Sequence, residues 1–209
     1  IAFANADLAH ADLSGSTLAA EGEADGKIDF SYADLANADL SGSNIAAKGD
    51  GDKGDGEIIF YKANLANADL SGSNISAEGG GYRADGEIRF SYANLTNADL
   101  SGSTLAAEGA DEGEIDFSEA NLAHADLSGS NIAAEGGAYG GIYFNDADLA
   151  HADLSGSNIA AEGGAYGGIY FNDADLAHAD LSGSNIAAEG GEGVIDFCGN
   201  LTHADLSGS

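Results

Sequence analysis

The hexapeptide Ala-Asp-Leu-Ser-Gly-Ser occurs eight times, at 11–16, 38–43, 68–73, 98–103, 125–130, 152–157, 179–184 and 204–209, at intervals of 27, 30, 30, 27, 27, 27 and 25 residues. A fixed period of this size means stacked structural units rather than a globule folded once around one centre. Residues 130–156 and 157–183 are identical, as a recent tandem duplication would leave them. Within each unit runs a shorter period of five. Residues 28–47 read IDFSY, ADLAN, ADLSG, SNIAA, with large apolar residues at Phe30, Leu35, Leu40 and Ile45. Five residues turn an α-helix by about 500°, so no helix keeps such a period on one face. A strand of period two fails as well. A short strand followed by a corner succeeds: the central residue and its i−2 neighbour point inward, the next residues turn the chain, and four sides close one coil.

The element ADLSG resembles the consensus of the pentapeptide-repeat family: a small residue, Asp or Asn, Leu or Phe, Ser or Thr, then Gly. ADLAN, ADLAH, ANLAN, ANLTN and SNIAA are variants, and the resemblance covers roughly three quarters of the chain. It implies an all-β fold, a right-handed four-sided parallel β-helix of about eight coils stacked at ~4.8 Å, with residues 1–209 forming a single repeat solenoid. The chain departs from the family pattern in one regular way. After each fourth pentapeptide comes an insert rich in Gly and acidic residues: 21–27, 48–57, 78–87, 108–114, 135–141, 162–168 and 189–194. All of them leave along one edge of the prism, as Gly-rich loops of freely variable length or as a stacked fin of hairpins.

Equivalent positions form columns along the axis, and chemistry is read down them. Phe3, Phe30, Phe60, Phe90, Phe117, Phe144, Phe171 and Phe197 form an inward aromatic ladder, with Leu and Ile ladders on the other sides. These fill the core, each burial contributing about 1.5–3 kcal/mol. One column is all aspartate: Asp12, Asp39, Asp69, Asp99, Asp126, Asp153, Asp180 and Asp205. Like charges at ~4.8 Å repel by roughly 1 kcal/mol even in water, so the column needs compensation. Either each carboxylate accepts N–H groups of its turn, or the column binds Ca²⁺. The adjoining column mixes Asp and Asn (Asp7, Asp34, Asn64, Asn94, Asn121, Asp148, Asp175, Asn200), which favours hydrogen bonding. Asp50, Asp52, Asp55 and Glu57 in the longest insert are further Ca²⁺ candidates, although their spacing is not that of a calcium loop. Glu21, Glu78, Glu108, Glu135, Glu162 and Glu189 begin most inserts, with Lys48 as the exception. His10, His124, His151, His178 and His203 share a corner column with Asn37, Asn67 and Asn97, either as a generic polar corner or as a metal- or pH-responsive row. Tyr139, Tyr143, Tyr166 and Tyr170 make a small aromatic patch.

The net charge is −30, from 36 acidic and 6 basic residues. No basic footprint for nucleic acid exists, and no apolar run reaches the ~18–20 residues of a membrane span. The acidity points instead to divalent cations, basic partners or solubility in salt. Cys198 is the one cysteine, so no intrachain disulfide forms and the redox compartment is undecided. A chain without Met that starts and stops in mid-repeat is expected to be a processed chain or a window onto a longer repetitive protein. No nucleophile elbow, P-loop or Cys–His pair appears, so no catalytic residue and no cofactor beyond Ca²⁺ is expected. The leading expectation is a non-enzymatic structural or interaction protein, an extracellular or cell-surface filament, fibre or adhesin stalk that self-associates end to end. The alternative, implied by the resemblance, is a DNA-mimicking binder of a type II topoisomerase. Ice or mineral-surface binding is the least supported, since no paired Thr array is present.

Overall fold

The computed structural model describes residues 1–22, 25–51 and 54–209. Every described element is β-structure, bridge or turn. Seven strands form one parallel sheet: β1 (Thr17–Gly22), β3 (Asn44–Gly49), β5 (Asn74–Glu78), β7 (Thr104–Gly109), β9 (Asn131–Gly136), β11 (Asn158–Gly163) and β13 (Asn185–Glu189). Seven more form a second: β2 (Gly26–Asp29), β4 (Gly56–Ile59), β6 (Gly86–Arg89), β8 (Glu112–Asp116), β10 (Tyr139–Tyr143), β12 (Tyr166–Tyr170) and β14 (Val194–Asp196). The other two sides of each coil are single-residue parallel bridges, such as Asp34 to Asn64 and Asp39 to Asp69. The expected four-sided solenoid is therefore present, with each rung paired only to its neighbours.

The five-residue period works because a left-handed residue closes each of the three corners that carry no insert. In the turn Leu35–Ala38 the Ala38 N–H donates to the Leu35 carbonyl at 3.0 Å, with Asn37 at φ 58°. On the next corner Gly42, at φ 59°, does the same between Leu40 and Ser43. A β-turn whose third residue has positive φ favours Gly or Asn there. This explains the corner column of His and Asn: His10, His124, His151, His178 and His203 all lie at φ 60–62°. Even bulky residues accept the strain at the first corner, among them Tyr32, Lys62, Tyr92 and Glu119 at φ 55–60°.

Inside, the Phe rings stack parallel with centroids 4.7–5.0 Å apart. Ile, Leu and Ala columns fill most of the rest of the interior, in which the rings of Phe30 to Phe171 are fully buried. Ser43, Ser73, Ser103, Ser130, Ser157 and Ser184 occupy a narrow inward position. There Ser157 and Ser184 donate to the carbonyls of Leu154 and Leu181 at 2.7 Å, whereas the buried hydroxyls of Ser43, Ser73, Ser103 and Ser130 have no hydrogen-bond partner among the described residues.

Candidate functional site

The inserts build a fin, and glycine is what allows it. Each β-strand of the first sheet runs past its core positions into the insert, and the following strand of the second sheet returns. In β9 the side chains of Ile132 and Ala134 face inward while Asn131, Ala133 and Glu135 face outward. Among the described residues the strand ladders run along the axis to the next rung, and none joins the outgoing and returning arms of one insert as a hairpin would. The two arms face each other instead, and their backbones touch. A Cβ at Gly140 would lie 2.2 Å from the Glu162 carbonyl oxygen and 2.8 Å from that of Ala134. Gly26, Gly56, Gly86, Gly113 and Gly167 stand in the same column with the same backbone conflict. The fin is thus a two-layer blade in which only glycine fits between the layers.

One outer face of the blade is nearly uniform. Glu21, Lys48, Glu78, Glu108, Glu135, Glu162 and Glu189 follow one another in register. Lys48 donates to Glu78 at 2.5 Å and interrupts the row. Beyond it, five glutamates line an open trough of about 530 Å³ floored by glycine. Partial burial, then the charges of Glu108 and Glu162, push the Glu135 carboxyl above the usual range.

The other face varies from rung to rung. Its columns read Lys27, Glu57, Glu87, Glu114, Gly141, Gly168, Val194 and Asp29, Ile59, Arg89, Asp116, Tyr143, Tyr170, Asp196. Lys27 pairs with Glu57 at 2.7 Å and Arg89 pairs with Glu87. Above them, Tyr139 stacks on Tyr166 at 5.4 Å and Tyr143 on Tyr170 at 5.3 Å. The Tyr143 ring folds back over Gly141 so closely that a Cβ there would sit 2.5 Å from the ring. Burial first, then Glu114, pushes the Tyr143 hydroxyl up to about 12. Lower on the solenoid, Lys62 lies 5.0, 5.2 and 5.9 Å from the ring centres of Tyr61, Tyr92 and Tyr32. That internal cation–aromatic cluster escaped the sequence reading, although column alignment of residues 32, 62 and 92 carries its signal.

The aspartate column is a row of turn acceptors. All eight carboxylates, from Asp12 to Asp205, accept the N–H of the Ser two residues on, at 2.8–3.1 Å. Asp39, Asp69 and Asp99 also accept the Ser hydroxyl at 2.6 Å. In the adjoining column Asp34 and Asn64 play the same part, and the Asn64 amide donates to Asp34 at 2.9 Å. The insert candidates are not brought together. Asp50 accepts its neighbour Gly51 N–H, Asp55 accepts the Asp85 N–H of the next rung at 2.9 Å, and Glu57 is held by Lys27. Asp52 lies outside the described residues. Among the described residues no group of three or more His, Cys, Asp or Glu is placed to hold a metal ion. His124, His151, His178 and His203 stack at 4.8–5.0 Å. Ring-nitrogen lone pairs lie in the ring plane, so the near-parallel planes of the first three do not converge on a shared ion at ~2.0–2.1 Å.

A family model for pentapeptide repeats matches the chain in eight copies, with residues 108–132 as the matched segment. No curated protein matches it. Among solved structures, full-length QnrB1, a plasmid-mediated fluoroquinolone resistance protein, is 18% identical, covering 94% of this chain and 78% of its own at a TM-score of 0.37. HetL, a pentapeptide repeat protein involved in heterocyst differentiation regulation from the cyanobacterium Nostoc sp., is 20% identical, covering 96% and 88% at 0.23. Rfr23 from the cyanobacterium Cyanothece is 15% identical, covering 93% and 90% at 0.22.

Proposed function

The chain belongs to the pentapeptide-repeat family, and on that premise we propose that it is a non-enzymatic structural rod whose rungs stack copy upon copy into a filament or stalk. One observation carries this reading: every rung joins the next by the same bonds in the same register. Leu13 donates to the Asp39 carbonyl, Leu40 to Asp69, Leu70 to Asp99 and Leu100 to Asp126, each at 2.7 Å. The Phe stack repeats with them at 4.7–5.0 Å. A lattice with one repeated step is extended by any further rung of the same kind, and exposed strand edges are templates for such addition. A surface setting outside the cell suits a rod of this kind. Electron microscopy of purified protein, with and without Ca²⁺, tests the proposal. Filaments that lengthen with protein concentration support it. Monodisperse particles by light scattering at every concentration, with no filament in either buffer, refute it.

A second reading is favoured by charge. At ~4.8 Å per rung, a net charge of −30 over eight rungs is about one negative charge per 1.3 Å of axis, against about one per 1.7 Å in duplex DNA. A rod this acidic competes for a protein surface built to hold duplex DNA, such as that of a type II topoisomerase. A supercoiling assay tests this: inhibition by the protein, relieved by added salt, supports it, and no effect at micromolar protein removes it.

A further inference from the structure

On the variable face of the fin, the two tyrosine stacks form the walls of a slot. Tyr139 and Tyr166 make one wall, Tyr143 and Tyr170 the other, with Gly140 and Gly168 between, and the slot encloses about 280 Å³. The walls are two identical rungs, so the slot runs along the axis with rings parallel within 8° on each side. Its lower end meets carboxylates. Glu112 stands beneath Tyr139, Glu114 beneath Gly141 and Asp116 beneath Tyr143 in the adjacent strand β8. Burial, then Asp116, pushes the Glu114 carboxyl above its usual range, with Arg89 opposing. Arg89 is itself turned to Glu87.

Elsewhere the chain gathers tyrosines round a cation in a different geometry, with Tyr61 edge-on to Tyr32 at 84° and to Tyr92 at 78°. The Tyr32, Tyr61 and Tyr92 rings gather round Lys62, and Tyr92 also donates to Glu119 at 2.5 Å. There the cation is supplied by the chain itself. The upper slot is lined by four tyrosines and two glycines, with three carboxylates in register on the rung below, and among the described residues no cation lies over any of the four rings. With 36 acidic and 6 basic residues overall, a cation for the slot comes most readily from a partner.

We propose that this slot is a docking site for a basic peptide segment, taking an arginine side chain whose guanidinium packs against the free faces of the lower end rings, Tyr139 and Tyr143, and forks onto Glu114 of the rung below. The guanidinium is the better match than an ammonium. It is planar, stacks on aromatic faces, is less strongly hydrated, and offers parallel donors to a carboxylate. The arginine stem supplies the apolar length that runs along the tyrosine rings, two of which cover Gly141 and Gly168. Long-range attraction by the acidic rod brings any polycation close but does not distinguish one basic side chain from another. Discrimination falls to the slot.

The probe is a fluorescent peptide of alternating Gly and Arg, titrated at moderate salt so that screened, non-specific attraction is reduced, beside its Lys counterpart. The expected result is tighter binding of the Arg peptide by about tenfold, falling by about the same factor in a double Tyr139→Ser, Tyr166→Ser variant. Both tyrosines are 45% exposed, so their removal leaves the core intact, and a thermal melt confirms it. Glu114→Gln is a second variant, expected to erase most of the Arg-over-Lys preference with the rings still in place. Equal binding of the two peptides, or Arg binding unchanged by the tyrosine substitutions, overturns the proposal by reducing the interaction to net charge. A change in self-association alone, seen by light scattering without peptide, overturns it too, since the slot then serves a second copy of the chain. Filament formation has no bearing on these outcomes: a monomer that binds arginine in the slot supports the inference as well as a filament does.

Discussion

The sharpest test of the fin is a single methyl group. In Gly140→Ala the new Cβ would stand 2.2 Å from the Glu162 carbonyl oxygen and 2.8 Å from that of Ala134. Both distances fall short of the ~3.5 Å at which non-bonded atoms sit comfortably. Both obstacles are backbone atoms of hydrogen-bonded strands, β9 and β11, so neither yields by a rotamer change. The layers must part, and closely packed neighbours part with them. Overpacking of this kind costs about 1–3 kcal/mol, and the two-sided backbone contact places Gly140→Ala in the upper half of that range. For a chain of this size each kcal/mol lowers the melting temperature by about 2–4 °C, giving a fall of roughly 4–12 °C. The control is Gly156, which has φ +62° and nothing within 4 Å of its Cβ position. Its corner is of the same left-handed kind that Asn37 and His151 already occupy, so Gly156→Asn costs no more than about 1 kcal/mol. Thermal unfolding followed by circular dichroism separates the two. If Gly140→Ala melts with the parent, or Gly156→Asn falls as far as Gly140→Ala, close approach is not what glycine serves in the fin.

Three further outcomes follow from the same geometry. Phe117→Ala removes a ring stacked 4.9 Å from Phe90 and 5.0 Å from Phe144, and calorimetry is expected to show a loss of about 3–5 kcal/mol. Asp126→Ala leaves the Ser128 N–H, now 2.9 Å from its carboxylate, without that acceptor and costs about 1 kcal/mol, whereas Asp126→Asn stays close to the parent in urea titration. Stability against pH is expected to peak in mild acid. Burial first raises the carboxyls of Asp85, Glu112, Glu114 and Glu135, so the fold gains stability as pH falls through their raised values toward the ordinary carboxylate range. Hydrogen bonds from Ser14 and Ser207 hold Asp12 and Asp205 below their usual value, so their contribution, full above the unfolded value, is lost as pH falls through the lowered one. A melting temperature that declines steadily from neutral pH downward contradicts the burial of the fin carboxylates.

The solenoid was legible because a five-residue apolar period admits few solutions, and Phe30, Leu35, Leu40 and Ile45 stand where that period puts them. The aspartate column was legible for a related reason: an Asx side chain two residues before a free N–H is a local device, and in the adjoining column Asn64 takes the part of Asp34, so the turn does not require a charge. The fin was not legible in full. Gly-Glu-Ile and Gly-Gly-Ile look like loop sequence because glycine usually signals freedom of φ. Gly113 and Gly140 are chosen instead for the absence of a Cβ, and that constraint comes from the strand of the next rung, at Glu135 and Glu162, outside the insert that each glycine belongs to. The histidine column carried the opposite hazard. Five histidines in register suggest a ligand set, yet the backbone there asks only for a residue that tolerates φ near 60°, a condition Asn97 meets equally.

The two faces of the fin divide the labour in a way the interior does not. Inward columns are nearly invariant from rung to rung, since a ladder stacked at 4.7–5.0 Å tolerates little change in volume. The glutamate face is almost as uniform, and it supplies a field rather than a shape. The second outer face is under no such constraint: Lys27, Glu57, Glu87, Glu114 and Gly141 succeed one another on a backbone that does not alter. Where this position runs through both charges and glycine while its neighbours in the core stay fixed, local pairing chooses the residue: Lys27 with Glu57, Glu87 with Arg89, and Gly141 beneath the Tyr143 ring. The tyrosine rungs, duplicated whole as residues 130–156 and 157–183, double a pair of rings that would make a poor platform singly, because one rung offers an edge and two offer a surface.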